Sequence, residues 1–392
     1  MDDAPMPPAH DLVLFGATGF TGGLTAEYLA SHAPEGTSLA LAGRSRSKLE
    51  AVRARLAKID PRHASTPLLL ADVTDKDSLR EVAESARVVI TTVGPYLKHG
   101  EPLVAACAKA GTDYVDLTGE PEFVDRMYVS HHAEAVKTGA RIVHACGFDS
   151  IPHDLGVLFT VEQLPEGVPL SVRGYVRAAG RPSAGTFHSA IGAFSRLRQS
   201  TAAHSARKRA EPRPLGRKVN SITELPRYEH SLNAWALPLP TIDPQVVKRS
   251  AVALERYGPD FSYGHYAAVE RLPVAAGALA GVGGLFALAQ LPPARRLLLG
   301  RMKSGDGPTP AQREKGWFKV RFIGEGGGRR VVTEVAGGDP GYGETAKMLA
   351  ESALCLANDD LPATAGQVTP AVAMGDALIE RLQRQGISFE VL

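Results

Sequence analysis

The chain has 392 residues, with 44 Lys and Arg against 42 Asp and Glu, so its formal net charge is +2. This near balance argues against nucleic acid as a partner, because such binding draws mainly on a basic surplus. Hydrophobic residues make up 44% and charged residues 22%, which is typical of a folded soluble chain. The three cysteines are far apart, which argues against a disulfide scaffold or a structural zinc site.

The first eight residues are acidic and rich in proline. They lack the basic segment and the apolar segment of a secretory signal peptide. We therefore expect a cytoplasmic protein whose first strand begins near Asp11. The length of the chain is typical of a protein with two domains.

Between residues 10 and 150, short apolar runs alternate with amphipathic helical stretches. The predicted strands are 12–15, 38–42, 67–71, 88–93, 114–117 and 141–145. Apolar strands separated by helices are typical of a parallel sheet that is covered on both faces. Right-handed crossovers then predict the α/β class, with a Rossmann-like doubly wound parallel sheet over residues 10–150.

A glycine-rich turn follows the first predicted strand and opens the first predicted helix, with the spacing G-x-x-G-x-x-G. We expect Gly16 to make a tight turn with positive φ, Gly19 to let the backbone approach a pyrophosphate, and Gly22 to let the helix pack closely on the sheet. The helix N-terminus would offer N–H groups to the phosphates. The predicted phosphate-binding residues are Gly16, Thr18, Gly19, Phe20, Thr21 and Gly22. The alternative is a purely structural turn.

The end of the second predicted strand indicates which dinucleotide binds. NAD sites usually carry Asp or Glu there, whereas this chain has Gly43 followed by Arg44 and Ser45. A guanidinium can hold a 2′-phosphate in a bidentate grip and Ser45 can donate to it, so we predict NADP, used as NADPH. The alternative is that Arg44 and Arg46 are solvated residues at the start of a helix.

Two further positions are placed to meet the cofactor. Asp72 follows the third predicted strand and is expected near the edge of the adenine ring. Gly94 and Pro95 follow the fourth strand and are expected near the ribose and nicotinamide half. Each of these residues has the alternative of being an ordinary turn residue.

The familiar catalytic motifs are missing from the sequence. No tyrosine has a lysine four positions later, and neither G-x-S-x-G nor H-E-x-x-H occurs. His131 and His132 are adjacent on a predicted helix, so they point to different sides and make a poor metal pair. The sequence therefore predicts no metal.

Polar residues cluster instead at the C-terminal ends of the predicted strands, where open α/β sheets bind ligands. A hydride transfer needs a donor for the charge that develops on the substrate, and the predicted catalytic residues are Tyr96, Lys98 and His153. Further candidates are His99, Glu120, Asp149, Ser150 and Asp154. Each has a structural alternative, such as packing for Tyr96 or helix capping for Glu120.

Several motifs taken together resemble one known family. They are the glycine turn at 16–22, Arg44, G-P-Y at 94–96, D-L-T-G-E at 116–120, G-F-D-S-I-P-H-D-L-G at 147–156 and G-G-D-P-G-Y at 337–342. On these motifs the chain resembles the saccharopine dehydrogenase-like oxidoreductases, and most of all the trans-acting enoyl reductases linked to lipid and glycolipid biosynthesis. The resemblance implies a Rossmann domain, an α+β second domain whose sheet covers the cofactor cleft, and C-terminal helices that return to the first domain. It does not imply saccharopine as the substrate.

Beyond residue 151 the pattern changes to that of a sheet with one solvated face. Alternating strands are predicted at 170–176, 318–322, 330–335 and 387–391, with a hairpin loop at 324–328 and helices at 345–358 and 368–384. We assign 151–340 to an α+β substrate or lid domain. Residues 341–392 are assigned to C-terminal helices that pack back on the first domain, plus a final strand.

Two segments in the second half raise the question of lipid contact. Residues 196–218 carry eight Lys and Arg against one acid, which fits either an anionic lipid or phosphorylated carrier, or a solvated loop. Residues 272–294 carry no charge and are long enough to cross a bilayer. A crossing would put strands of one sheet on opposite sides of the membrane, so we expect an interfacial helix or a packing helix instead.

These features predict an NADP-dependent oxidoreductase that transfers hydride to an apolar, lipid-like or polyketide-like unsaturated substrate. The enoyl part of this prediction rests on the resemblance alone. A carbonyl or imine reductase acting on an amino-acid-like substrate would need a cationic grip, for which Arg173, Arg177 and Arg321 are candidates. A third interpretation is a protein that binds nucleotide and a lipid surface without turnover. Peripheral contact with the inner face of the plasma membrane and a homodimer are further expectations.

Overall fold

The computed structural model describes residues 8–180, 191–192, 195–212, 216–301 and 307–392. The proline-rich N-terminus through Pro7 and Arg213 of the basic stretch lie outside the described residues.

The first sheet is parallel, has seven strands and takes the order β14-β6-β5-β4-β1-β2-β3. Its strands are β1 (His10–Phe15), β2 (Leu39–Gly43), β3 (Leu68–Leu70), β4 (Ala86–Thr91), β5 (Asp113–Asp116), β6 (Arg141–Val143) and β14 (Gly366–Val368). The order 3-2-1-4-5-6 is that of a doubly wound dinucleotide-binding sheet, which confirms the predicted fold class. The strand order reverses beside β1, so the predicted glycine turn lies at the point where such sheets bind ligands.

Helices cover both faces of this sheet. They are α1 (Phe20–His32), α2 (Arg46–Ile59), α3 (Lys76–Glu84), α4 (Tyr96–His99), α5 (Glu101–Ala110), α6 (Pro121–Thr138) and the later helix Gly343–Asn358. The next helix after β6, α7 (Ile151–Glu162), packs on the second sheet. Along β1, Leu12 and Leu14 belong to one hydrophobic cluster, while Val13 and Phe15 belong to another. The strand is apolar throughout because each of its faces packs against a layer of helices.

The second sheet is mixed, has eight strands and follows the order β15-β13-β12-β7-β11-β10-β9, with β8 pairing with β11. Its strands are β7 (Leu170–Ala179), β8 (Lys218–Ser221), β9 (Arg227–Glu229), β10 (Ala234–Pro238), β11 (Asp260–Val269), β12 (Trp317–Gly326), β13 (Arg329–Gly337) and β15 (Ser388–Val391). The remaining α-helices are Leu197–Ala210, Asp243–Ala253, Leu272–Gln290, Pro292–Arg301, Pro310–Arg313, Pro370–Ala373 and Gly375–Arg384. Short 3₁₀ helices span Pro61–Ser65, His230–Leu232 and Glu255–Tyr257.

Two local predictions in this half need correction. The hairpin loop placed at 324–328 is shorter, because β12 runs to Gly326 and β13 begins at Arg329. The turn is Gly327 and Gly328, whose φ values of 58° and 76° match the two-residue turn that joins twisted strands. The single helix placed at 368–384 is instead strand β14 followed by two short helices, the first of which begins at Pro370.

The two sheets share one hydrophobic cluster. It contains Leu12 of the first sheet, Leu155 of α7 and Phe322 of the second sheet. α7 lies directly on the second sheet, since a Cβ added at Gly156 would come 2.3 Å from the ring of Phe322. The polar residues at the start of α7 therefore lie between the first sheet and the second.

The apolar segment forms the helix Leu272–Gln290 followed by the helix Pro292–Arg301, and most of it is exposed. Among the described side chains of Leu272–Gln290, only Ala275 and Ala289 are buried. By length and composition alone this helix could cross a membrane, with a mean hydropathy of 1.9. Its exposure disfavours the alternative of a packing helix.

Three arginines of the basic stretch are tied into the fold. Arg196 forms an ion pair with Glu122 at 2.7 Å, and the buried side chain of Arg207 lies 2.5 Å from Asp125. Arg217 donates to four backbone carbonyl groups at the end of the helix Asp243–Ala253 and just after it. These three arginines have a structural role. The other described basic side chains of the stretch are exposed, namely Arg198, Lys208, Arg209 and Lys218.

Candidate active site

The glycine turn has the geometry that its spacing predicts. Gly16 has φ of +92°, and a Cβ there would lie 2.7 Å from Val93 Cγ2. A Cβ at Gly22 would lie 2.2 Å from the carbonyl oxygen of Gly16, so this position has no room for a side chain. Gly16 and Gly22 therefore bring the start of α1 against the end of β1.

Gly19 differs from the other two glycines, because a Cβ there would meet only the Gly16 carbonyl oxygen, at 3.4 Å. Gly19 is the N-cap of α1, and no side chain among the described residues caps this helix end. Thr18 and Gly19 are exposed. The first N–H groups of α1 thus face outward beside an open backbone, which is the arrangement that binds phosphate.

The aromatic ring of Phe20 is covered by the second half of the chain. Its centroid lies 4.9 Å from that of Tyr342, and the guanidinium carbon of Arg313 lies 5.9 Å from it. Gly307, which follows the apolar helix pair, also contacts this ring, since a Cβ there would lie 2.2 Å away. Gly307, Arg313 and Tyr342 therefore all lie against the glycine turn.

At the end of β2, Arg44 and Asp72 lie side by side. Arg44 Nε is 3.8 Å from Asp72 Oδ2, and 76% of the Arg44 side chain is exposed. The Asp72 carboxylate accepts hydrogen bonds from Thr74 N and Thr74 Oγ1. These hydrogen bonds lower the pKa of Asp72, and the positive charge of Arg44 lowers it further. Ser45 caps α2 by accepting from Lys48 N at 3.5 Å. The guanidinium is therefore held near the helix start with most of its surface open.

Glu120 caps a helix, although not the one that follows it. Its two carboxylate oxygens accept from Tyr96 N and Leu97 N, each at 2.9 Å, at the start of α4. Burial nevertheless raises the pKa of Glu120. The cis peptide bond between Gly94 and Pro95 immediately precedes this cap. Glu120 therefore fixes the loop after β4, which was expected near the nicotinamide.

The predicted donors on α4 differ in exposure. The hydroxyl of Tyr96 donates to Thr91 O at 3.1 Å and accepts from Leu117 N at 3.2 Å. Tyr96 is 6% exposed, and burial raises its pKa well above the usual value. Lys98 is exposed on the same short helix. Tyr96 thus connects the loops after β4 and β5.

The start of α7 is strained and carries polar atoms without partners. Ser150 has φ of +130°, which is rare for a residue with a side chain. Within the described part of the chain, the buried atoms Ser150 Oγ and His153 Nε2 have no hydrogen-bond partner. No side chain of the described residues caps this helix, but the N–H groups of its first turn donate to the backbone carbonyl groups of Gly147 and Ser150. Two unpartnered side-chain groups therefore lie beyond the carboxyl end of β6.

His153 belongs to a buried cluster with two residues from the second half of the chain. Its Nδ1 atom lies 3.0 Å from Asp243 Oδ1, and His265 Nε2 lies 3.5 Å from Asp243 Oδ2. Burial lowers the pKa of His265 to about 3, while the two imidazoles outweigh burial and lower the pKa of Asp243. Burial and the charge of Asp243 raise the pKa of Asp149 to about 6.

Asp154 has a structural role. Its carboxylate accepts from Ser250 Oγ at 2.5 Å and from Ala371 N at 2.9 Å, so it joins α7 to two later helices.

Asp116, the last residue of β5, fixes the loop after β6, because its carboxylate is hydrogen-bonded to His144 Nδ1 at 2.7 Å and to Ala145 N at 2.9 Å.

Sequence reasoning missed Asp243 and His265. They lie on a helix and a strand that are distant in sequence from α7, so no spacing brings the three residues together. A histidine inside a strand was the only signal available, and it does not indicate a partner.

The three arginines proposed for carboxylate binding lie on the other side of the second sheet. Phe322 faces α7, so Arg321 beside it points to the opposite face, and the register places Arg173 and Arg177 on that same face. Each is paired with a carboxylate, namely Glu334 for Arg321, Glu224 for Arg173 and Glu270 for Arg177. The requirement for an amino-acid-like substrate is therefore not met by these residues.

A sequence profile described as the saccharopine dehydrogenase NADP binding domain matches residues 12–143. A provisionally named trans-acting enoyl reductase from Mycobacterium tuberculosis (strain ATCC 25618 / H37Rv) is 39% identical over 420 residues, covering 98% of each chain. Trans-acting enoyl reductases from Mycobacterium bovis (strain BCG / Pasteur 1173P2) and Mycobacterium ulcerans (strain Agy99) are 37% and 36% identical, with 98% and 96% of both chains covered.

Among solved structures, the chain is similar to apo saccharopine dehydrogenase (L-Glu forming) from Saccharomyces cerevisiae. The TM-score is 0.56 at 15% identity, covering 98% of this chain and 100% of that one, and this likeness shows the fold. The matched domain and these relatives define an NADP-dependent oxidoreductase acting on a small-molecule substrate. The chain belongs to the trans-acting enoyl reductases of the saccharopine dehydrogenase-like family.

Proposed function

We propose that this oxidoreductase reduces the conjugated double bond of an enoyl substrate with a lipid-like or polyketide-like chain. Hydride passes from C4 of the nicotinamide to the β-carbon and a proton adds at the α-carbon, so NADPH becomes NADP+ as the double bond is lost. The names of the relatives supply the reaction class. The supporting observation in this chain is the pair of buried, unpartnered donors Ser150 Oγ and His153 Nε2.

The cofactor is assigned along the carboxyl edge of the first sheet. In this proposal the pyrophosphate lies on the turn that starts α1, against the residues Gly16, Thr18, Gly19, Phe20, Thr21 and Gly22. Arg44 and Ser45 take the 2′-phosphate. Asp72 stays assigned to the adenine side, and Gly94 and Pro95 to the nicotinamide side. Support comes from the open α1 terminus and the exposed guanidinium of Arg44.

Of the three predicted catalytic residues, His153 is the one that we assign to the reaction. The hydroxyl of Tyr96 is already hydrogen-bonded to two backbone groups, and Lys98 is exposed on α4. His153 Nε2 has no competing partner among the described residues, so its N–H can donate to the enolate oxygen that forms as hydride arrives. Ser150 Oγ supplies a second donor to the same oxygen.

The test is NADPH oxidation at 340 nm with 2-enoyl thioesters of increasing chain length, with mass spectrometry of the saturated product. His153→Gln is expected to lower kcat by about 100-fold to 1000-fold, the usual effect of removing an oxyanion donor, with NADPH affinity unchanged. His32→Gln, an exposed histidine at the end of α1, is the control. A protein that binds NADPH but reduces no enoyl thioester would overturn the enoyl assignment.

We also propose that the helices Leu272–Gln290 and Pro292–Arg301 rest on a lipid surface at the cytoplasmic, inner face of the plasma membrane. Val282 is 49% exposed and Leu297 is 63% exposed, and a monomeric protein rarely leaves an apolar patch of this length in water. Arg295 and Arg296 follow the apolar helix, where they suit anionic headgroups. An apolar substrate would be available at such a surface.

Sedimentation with vesicles of phosphatidylcholine, with and without phosphatidylglycerol, tests this contact. Binding is expected to rise with phosphatidylglycerol and to be lost in Val282→Glu. Leu225→Glu changes an apolar residue that is 85% exposed elsewhere and should bind normally. If the wild-type chain ignores vesicles and instead forms a dimer that Val282→Glu dissociates, the helices cover a second copy and the membrane proposal fails.

A further inference from the structure

We propose that His153, Asp243 and His265 bind a divalent transition-metal ion, with zinc as the best match to two imidazoles and one carboxylate. His153 lies in the first turn of α7, Asp243 begins the helix Asp243–Ala253, and His265 lies in β11. Their exposed fractions are 2%, 2% and 6%. Three separate elements thus bring three ligand side chains to one buried point.

The spacing of the three side chains is compatible with a common ion. The His153–Asp243 and His265–Asp243 contacts measure 3.0 and 3.5 Å, and one ligand atom from each residue lies within 4.8 Å of the others. Yet within the described residues His153 Nδ1, Asp243 Oδ1 and His265 Nε2 have no hydrogen-bond partner. Tetrahedral zinc with bonds of about 2 Å holds its ligand atoms about 3.3 Å apart, and the two measured contacts, which end on different oxygens of Asp243, are close to this separation.

Groups outside the cluster orient two of the three ligands. The hydroxyl of Tyr263 lies 2.9 Å from His265 Nδ1, so this hydrogen bond can hold the proton on Nδ1 and leave the Nε2 lone pair toward Asp243. Thr241 Oγ1 donates to Asp243 Oδ2. Partners of this kind are the usual support of metal ligands, because they fix the tautomer and the direction of the ring.

The charge of the cluster also favours a cation. The ion pairs of the described residues give the buried carboxylate of Asp243 no Lys or Arg partner. A buried carboxylate without a cation is unfavourable. A bound dication supplies the missing charge. The rival is a protonated His153 paired with Asp243, and it requires no metal.

The metal has one consequence for the proposed reaction, and this step alone rests on the proposed function. An ion bound at His153 Nδ1 keeps the proton on Nε2, because the neutral ring carries a single N–H. Nε2 is the atom assigned above to the enolate oxygen. The metal, Asp243 and His265 would therefore position the donor without touching the reacting carbon atoms.

The experiment uses the full chain without a polyhistidine tag, freed of metal with a chelator and then titrated with Zn2+ by calorimetry. A single ion per chain is expected, and Co2+ in its place should give the visible absorption bands of a site with nitrogen and oxygen ligands. His265→Gln and Asp243→Asn should each weaken Zn2+ binding by more than about tenfold. The Co2+ spectrum of the wild-type chain decides the question even if these variants fail to fold.

The matched control is His144→Gln, because His144 and Asp116 also form a buried histidine–carboxylate pair, at 2.7 Å, to which the described part of the chain adds no third ligand. This variant should keep its Zn2+ stoichiometry. No Zn2+ uptake by the wild-type chain, or equal uptake by His265→Gln, would overturn the metal site. NADPH titration and turnover on the same samples separate the proposals. A chain that reduces enoyl thioesters without taking up zinc refutes the metal alone, and one that binds zinc without turnover refutes the enoyl reaction alone.

Discussion

In the proposed assignment, the side chain of Arg44 chooses between two cofactors. Its guanidinium is mostly exposed and lies 3.8 Å from the Asp72 carboxylate. If Arg44 binds the 2′-phosphate as proposed, the gain in affinity belongs to NADPH and not to NADH.

Arg44→Ala should raise the Kd for NADPH by about 10-fold to 100-fold, because a hydrogen bond to a charged group contributes about 1.5–3 kcal/mol. The Kd for NADH should hardly change. Fluorescence titration of both cofactors at one fixed salt concentration measures the ratio. Arg46→Ala, which removes a neighbouring exposed cation at the start of α2, is the control. Equal losses for the two cofactors in Arg44→Ala would contradict the assignment of the 2′-phosphate.

At the scale of elements, α7 is held by a carboxylate that prefers to be neutral. Burial raises the pKa of Asp154 from its ordinary 3.8 to about 6, although Ser250 Oγ and Ala371 N donate to it. The folded chain therefore holds this proton more tightly than the unfolded chain does. The stability that Asp154 contributes is fully present below about pH 4 and is lost as the pH rises through about 6.

Asp154→Asn keeps a neutral acceptor at this position and should remove that pH dependence. Relative to the variant, the wild-type free energy of unfolding should fall by up to about 3 kcal/mol between pH 4 and pH 7. Urea unfolding of both proteins across this range gives the difference directly. Asp77→Asn, which removes an exposed carboxylate in the first turn of α3, controls for the loss of one charge. If the difference in free energy of unfolding between wild type and variant did not change with pH, the raised pKa of Asp154 would be contradicted.

The sequence predicts those parts of the site that depend on neighbouring residues and misses those that depend on the fold. Gly16 and Gly22 are required by contacts within one strand–turn–helix unit, so their spacing alone reveals them. Asp243 and His265 reach His153 only because the second sheet and its helix pack on α7. Strand β14 was missed for a similar reason, since three residues carry little periodicity and its place is set by pairing with β6.

At the scale of the whole molecule, the two sheets are expected to unfold together. One hydrophobic cluster includes Leu14 of the first sheet, Leu349 of the helix Gly343–Asn358 and Phe322 of the second sheet. Unfolding either sheet would expose the buried face of the other to water. A state with only one sheet folded therefore has little stability.

The chain supplies a separate probe for each sheet. Both of its tryptophans lie in the second sheet, Trp235 in β10 and Trp317 in β12, whereas bound NADPH reports on the turn after β1. In urea, the tryptophan signal and the NADPH signal should change at midpoints that agree within about 0.2 M. This comparison corrects for the stabilisation of the folded chain by bound NADPH. Leu349→Ala, which removes a fully buried side chain from the shared cluster, should lower both midpoints equally, at a cost of about 2–5 kcal/mol. If this variant moved the NADPH signal alone, the two sheets would be independent units and the shared cluster would not couple them.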